Sequence, residues 1–104
     1  TLLDMEMPPT AVFCANDLIA LGALEVAGSR GYRVPQDLSI VGFDDIFLAA
    51  HTQPPLTTVR VPAYGLGWTA AEVLIALVEG DAASSVTLET ELVIRDSCQP
   101  LRTP

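Results

Sequence analysis

The chain has 104 residues, half of them hydrophobic and 17% charged, with thirteen acidic against five basic side chains and a formal charge of −8. Such a chain can bury a core and is no disordered segment, while its excess of acid makes it a poor surface for nucleic-acid phosphates or anionic lipid. Its longest dense apolar stretch, Leu18 to Val26, is far short of the ~20 residues of a membrane span, and no basic region followed by an apolar core marks a secretory signal.

The first element expected in chain order is a buried strand over Thr10 to Ala15, β-branched and aromatic, after Pro8-Pro9. Asn16 and Asp17 follow at once and supply a helix N-cap. Leu18 to Ser29 then reads as a helix, closed by Gly31. The turn "YRVPQD" leads into a second strand, Leu38 to Phe43. Strand, helix and strand at this spacing form a βαβ unit, and continuous apolar strands imply a parallel sheet covered on both faces. Ile46 to Ala50 is a short apolar turn, and Leu56 to Val61 is extended. Pro62 stands at a first helical position, and the helix to about Val78 carries Leu66, Ala70, Val73, Leu74 and Leu77 on one stripe. Gly80-Asp81 ends it, and Val86 to Arg95 reads as a final strand.

The helix after Asn16 is apolar nearly all round, with Glu25 its only charge between Leu18 and Val26. One side faces the sheet, and the other calls for a partner subunit or a further part of the chain. Cys14 reads as a buried thiol and Cys98 as an unrelated one, which suits a reducing compartment.

Several chemistries fail on spacing. "GLGWTA", Gly65 to Ala70, matches the G-x-G-x-x-G/A pattern of dinucleotide folds, yet no strand runs directly into it and Leu66 already belongs to the helix stripe. His51 has no second ligand at metal spacing, and no serine sits in a nucleophile elbow. Asp44 and Asp45 are sequence neighbours that point to opposite faces, so they cannot act together on one substrate as a glycosidase pair does. No catalytic residue, metal or cofactor is therefore expected. Position favours binding instead, because open parallel sheets bind ligands outside the carboxyl ends of their strands. Both strands end there in short polar side chains, an amide and carboxylates, suited to a hydroxyl-rich or heterocyclic small molecule.

These residues carry a resemblance. "PTAVFCANDLIALGALEVAGSRGYRVPQDLSIVGFDDI", then "PPLTTVRVP" and "ELVIRDS", closely resembles the effector-binding domain of LacI/GalR-type transcriptional regulators from about Pro9 to Ser97. The resemblance implies an α/β, partial periplasmic-binding-protein-like fold, a parallel sheet flanked by helices, with residues 1–104 as the C-terminal part of the effector-binding and dimerisation domain. It implies that a DNA-binding domain and a first subdomain lie outside this sequence, and that the helix after Pro62 and part of the last strand pack on that subdomain. Alone, the segment is expected to expose apolar surface and to self-associate or fold poorly.

By the same resemblance, Asn16 and Asp44 meet the effector, a sugar-like or nucleobase-like molecule. Leu18 and Leu66 line the pocket, Asp17 caps the helix, and Asp45 starts a turn. Ala63 falls where some relatives stack an aromatic on the ligand. Leu21, Leu24, Glu25 and the segment Leu48 to Thr52, including His51, match a homodimer interface. The implied protein is a cytoplasmic, non-enzymatic regulator that reaches operator DNA only through its other domain. Its rivals are a periplasmic solute-binding protein of a transporter and, more distantly, an NAD-dependent oxidoreductase built on "GLGWTA".

Overall fold

A computed structural model describes residues 1–102. After a short 3-10 turn, Leu2–Asp4, strand β1 (Ala11–Phe13) leads into helix α1 (Asp17–Ser29) and strand β2 (Ser39–Val41). A second 3-10 turn, Phe47–His51, precedes β3 (Thr58–Arg60), helix α2 (Ala63–Val78) and β4 (Glu91–Val93). β1 and β2 pair in parallel, with Val12 opposite Ile40. Parallel bridges from Val41 to Thr57 and from Asp44 to Arg60 carry the pairing onto β3. The expected βαβ unit and parallel sheet are present, and β4 adds an antiparallel edge by pairing Arg60 with Glu91 and Thr58 with Val93.

Both helices stop on the same backbone device. Gly31 and Gly80 have φ of 78° and 81°, a left-handed conformation in which a Cβ is disfavoured. Around Gly31, the Tyr32 amide donates to the Ala27 carbonyl at 2.9 Å and the Gly31 amide to the Gly28 carbonyl at 3.1 Å. Around Gly80, the Asp81 amide donates to the Ala76 carbonyl at 2.9 Å and the Gly80 amide to the Leu77 carbonyl at 3.2 Å. These paired bonds satisfy carbonyls that a helix end otherwise leaves free.

The core lies between α1 and the parallel strands. Cys14, Ala20, Ala27, Leu38, Ile40, Ala49 and Leu56 are buried, with Val12, Ala23, Leu24 and Ile46 packed against them. α1 contributes its small residues, Ala20 and Ala27, and this lets the helix approach the sheet closely. Ser97, fully buried, closes the seam between β2 and β3. Its hydroxyl donates to the Ile40 carbonyl at 2.5 Å and accepts from the Thr57 amide at 2.8 Å.

Three expectations are corrected. The sheet is not covered on both faces, since Phe13 on β1 is 65% exposed. Pro62 is the N-cap of α2, which begins at Ala63. The last strand spans only Glu91–Val93 of the expected Val86–Arg95, because its partner β3 ends at Arg60. Two residues on, Pro62 has no amide to donate to a ladder and the chain turns into α2.

α2 stands apart, with no residue of it buried. The molecule measures 60 × 27 × 24 Å with a radius of gyration of 18.2 Å, whereas a compact domain of this length has about 13 Å. The helix and residues 82–90 together form an arm on a compact body.

Candidate functional site: the carboxyl edge of the parallel strands

Parallel pairing puts the ends of β1 and β2 side by side, and the residues beyond them are tied together by the backbone. The Asp17 amide donates to the Phe43 carbonyl at 3.0 Å, which sets the start of α1 against the turn that holds Asp44 and Asp45. Asn16 and Asp44 thus emerge at one edge, as their position after the strands predicts.

Asn16 is the N-cap of α1, with extended backbone and its Oδ1 accepting from the Ile19 amide at 2.9 Å. Among the described residues nothing accepts from its side-chain NH2, which can therefore donate to a ligand. Asp17 is not the cap. It is the first residue of the helix and completely buried. Its Oδ1 accepts from the Thr58 hydroxyl at 2.6 Å and its Oδ2 from the Ile46 amide at 2.8 Å. One carboxylate therefore joins α1, the segment after the Asp pair, and β3. A buried carboxylate is tolerable only when its lone pairs are engaged in this way, and the α1 N-terminus adds favourable dipole. Gly42 makes room for it, because a Cβ there would fall inside van der Waals distance of Asp17 Oδ1 and 3.0 Å from Leu56 Cδ2.

Asp44 and Asp45 have φ of 120° and 61°, both in the region that favours glycine. The Asp44 backbone is nonetheless held on both sides, its amide donating to the Val59 carbonyl at 2.9 Å and its carbonyl accepting from the Val61 amide at 3.3 Å. Its carboxylate is exposed, and among the described residues nothing donates to it or pairs with it. Asp45 is the opposite case. It does more than begin a turn, as its side chain is 9% exposed and paired with Arg60 at 2.7 Å and Arg95 at 2.8 Å. Desolvation pushes the Asp45 carboxyl up, but hydrogen bonds and charge from the two guanidinium groups outweigh it and hold the group below its ordinary value. The neighbouring acids thus differ in role: one is neutralised internally, the other is free.

Leu18 is exposed at the start of α1, two residues from Asn16. Leu66 is elsewhere, on α2, where it lines an apolar groove with Val73, Leu77, Val86 and Leu88. Ala63 opens α2 and is exposed. Gly65 and Gly67 lie inside α2, so "GLGWTA" forms no tight turn that could bring backbone amides to a pyrophosphate.

Of the residues matched to a dimer interface, Glu25, Leu48 and His51 are exposed and Leu21 is half-buried. Leu24 packs partly against the chain's own core, and the Thr52 hydroxyl is used internally, donating to the Pro54 carbonyl at 2.8 Å. Phe47 was not anticipated; it is 80% exposed, its ring 4.7 Å from the ring of His51. The aromatic within the apolar turn "IFLAA" is the signal for it. Sequence reasoning also missed Thr58, Arg60 and Arg95. For the arginines the clue was scarcity: only five basic residues stand against thirteen acidic ones, and two of the five meet on Asp45.

The order of elements and the polar ends of β1 and β2 define a class. Residues 1–98 match the periplasmic binding protein-like domain, and the chain belongs to that family. Within it, the chain is similar to LacI-family repressors. It is 46% identical over 102 residues to the HTH-type transcriptional repressor CytR of Escherichia coli K12, covering 96% of this chain and 30% of that protein. A LacI-type putative transcriptional regulator from Bacillus cereus subsp. cytotoxis superposes with a TM-score of 0.93 at 37% identity, over 97% of this chain and 36% of that one. A LacI-family regulator from Enterococcus faecium, solved with bound ribose, superposes with a TM-score of 0.87 at 32% identity, over 97% and 38% of the two chains. The chain thus spans about a third of the length of these relatives.

Proposed function

We propose that this chain is the effector-sensing and dimer-forming part of a LacI-type transcriptional repressor, binding a small hydroxyl-rich or nucleobase-like molecule at the edge defined by Asn16 and Asp44. The observation that carries this reading is the unpaired Asp44 carboxylate at the carboxyl end of β2, held out by a backbone bonded on both sides. An ionised carboxylate accepts from two hydroxyls or from a ring N–H, and the Asn16 amide beside it can donate. Leu18 supplies an apolar contact at the same edge. The Escherichia coli and Bacillus cereus relatives are transcriptional regulators and the Enterococcus faecium one holds ribose, which favours this reading over a transporter's solute-binding protein.

The arm fits the other half of the same device. α2 and residues 82–90 would pack on a further subdomain, placing Leu66 near the effector once that subdomain closes. Effector binding then favours one closure angle and shifts the population of dimers able to hold operator DNA, which would be contacted by a separate domain. Glu25, Phe47, Leu48 and His51 would face the partner subunit. The net charge of −8 leaves DNA contact to that other domain.

Calorimetric titration of the complete polypeptide with ribose, cellobiose and adenosine tests the assignment. Asp44→Asn should weaken the effective ligand roughly tenfold to a hundredfold, the worth of a charge-assisted hydrogen bond, while affinity for DNA stays at the wild-type level. Equal affinity of wild type and Asp44→Asn would remove Asp44 from the site.

A further inference from the structure

The chain crosses between body and arm twice. It leaves along β3, through Arg60, Val61 and Pro62 into α2, and returns along β4 at Glu91. Arg60 stands at both crossings, paired with Glu91 across the antiparallel ladder and bridged to Asp44 on its other side. Its guanidinium donates to Asp45 Oδ2 at 2.7 Å and lies 3.5 Å from Glu91 Oε2. Arg95, just beyond the end of β4, meets the other oxygen of Asp45 at 2.8 Å and donates from Nη1 to the Leu56 carbonyl at 3.0 Å. One nearly buried carboxylate thus grips the outgoing and the returning strand.

Asp45 also neighbours a residue whose backbone needs holding. Two consecutive side-chain-bearing residues at positive φ are an unfavourable pair, and such geometry persists only where the surroundings enforce it. The bonds from Asp44 to Val59 and Val61 bracket Arg60, so whatever fixes Arg60 fixes Asp44 as well.

We infer that Asp45 is a positioning residue at a hinge: through Arg60 and Arg95 it sets the angle at which the arm leaves the body, and it holds Asp44 in the conformation that turns its free carboxylate outward. The geometric part stands by itself. Its consequence for effector binding rests on Asp44 as the acceptor.

Amide hydrogen exchange on the complete polypeptide tests it, comparing wild type with Asp45→Asn, Arg60→Gln and the double variant. The amides of Asp44 and Val61, bonded across this junction, are the probes, and the Cys14 amide, bonded to the Val41 carbonyl at 2.8 Å within the body, is the reference. Each single variant should speed exchange at residues 44 and 61 by about 3- to 30-fold, the range of mutations that modulate coupling. The double variant should be no faster than either single one, and Cys14 should not change. Unaltered exchange at 44 and 61 overturns the inference, and so does an equal rise at Cys14, which would mean general destabilisation. Titration with ribose adds the functional arm, with Asp45→Asn weakening binding by a similar factor. Should Asp44→Asn bind ribose as wild type does, the effector reading fails while exchange still decides the role of Asp45.

Discussion

Ile40 and Ile75 are both isoleucines within regular structure, yet Ile40 is fully buried and Ile75 is 56% exposed. The difference is regional. In the body, α1 lies on β1 and β2, the 3-10 turn places Ala49 in the same core, and Ser97 seals the seam between β2 and β3. In the arm, α2 has no buried residue, and with residues 84–88 it borders a groove lined by Leu66, Val73, Leu74 and Leu77. A second apolar stripe, Tyr64, Trp68, Ile75 and Val78, faces solvent. Ridges of this kind are seldom left bare on a soluble surface. The body encloses a core of its own, while among the described residues α2 buries no side chain.

The sharpest way to break that contrast is a cavity. Ile40→Ala removes a side chain enclosed on all sides and should cost about 2–5 kcal/mol of unfolding free energy, read from chemical denaturation monitored by circular dichroism. A loss below about 1 kcal/mol would mean that the body is no better packed than the arm.

Gly42→Ala tests the body at one polar joint. The added Cβ would press on Asp17 Oδ1 and Leu56 Cδ2, and Asp17 is committed to Thr58 and Ile46. Overpacking of this sort costs roughly 1–3 kcal/mol, and it should lower the denaturation midpoint without changing its slope. An unchanged midpoint would show that Asp17 can withdraw, and that its bonds do not register α1 against β3.

The same contrast governs what could be read in the sequence. Strands, helices and their order were legible because local signals agreed: Asn16 before the Leu- and Ala-rich run, Gly31 and Gly80 after the helices, β-branched residues in the strands. The edge holding Asn16 and Asp44 followed from parallel pairing alone. What pairs across distance was not legible. Asp17 looked like a cap because it adjoins one, and only the fold brings Thr58 beside it, 41 residues on. Asp45 looked like a turn because its arginines lie 15 and 50 positions away in the chain (45 to 60 and 45 to 95), and its left-handed φ leaves no mark in composition. The final strand is shorter than the alternation of Val86 to Arg95 suggests, because the length of β3 sets how many partners it finds.

The smallest expected effect is the most telling about the arm. Ile75→Ala in the 104-residue chain exposes no cavity, since the side chain already faces water, and should change stability by no more than about 0.5 kcal/mol. The same substitution in the complete polypeptide should cost about 2–5 kcal/mol if a further subdomain covers that face, the penalty of truncating a buried isoleucine. Paired denaturation curves read both values. A large loss in the short chain would mean that α2 folds back on the body. Near-zero loss in both would mean that the Tyr64–Val78 face stays bare in the whole protein, and that the arm is anchored by its groove alone.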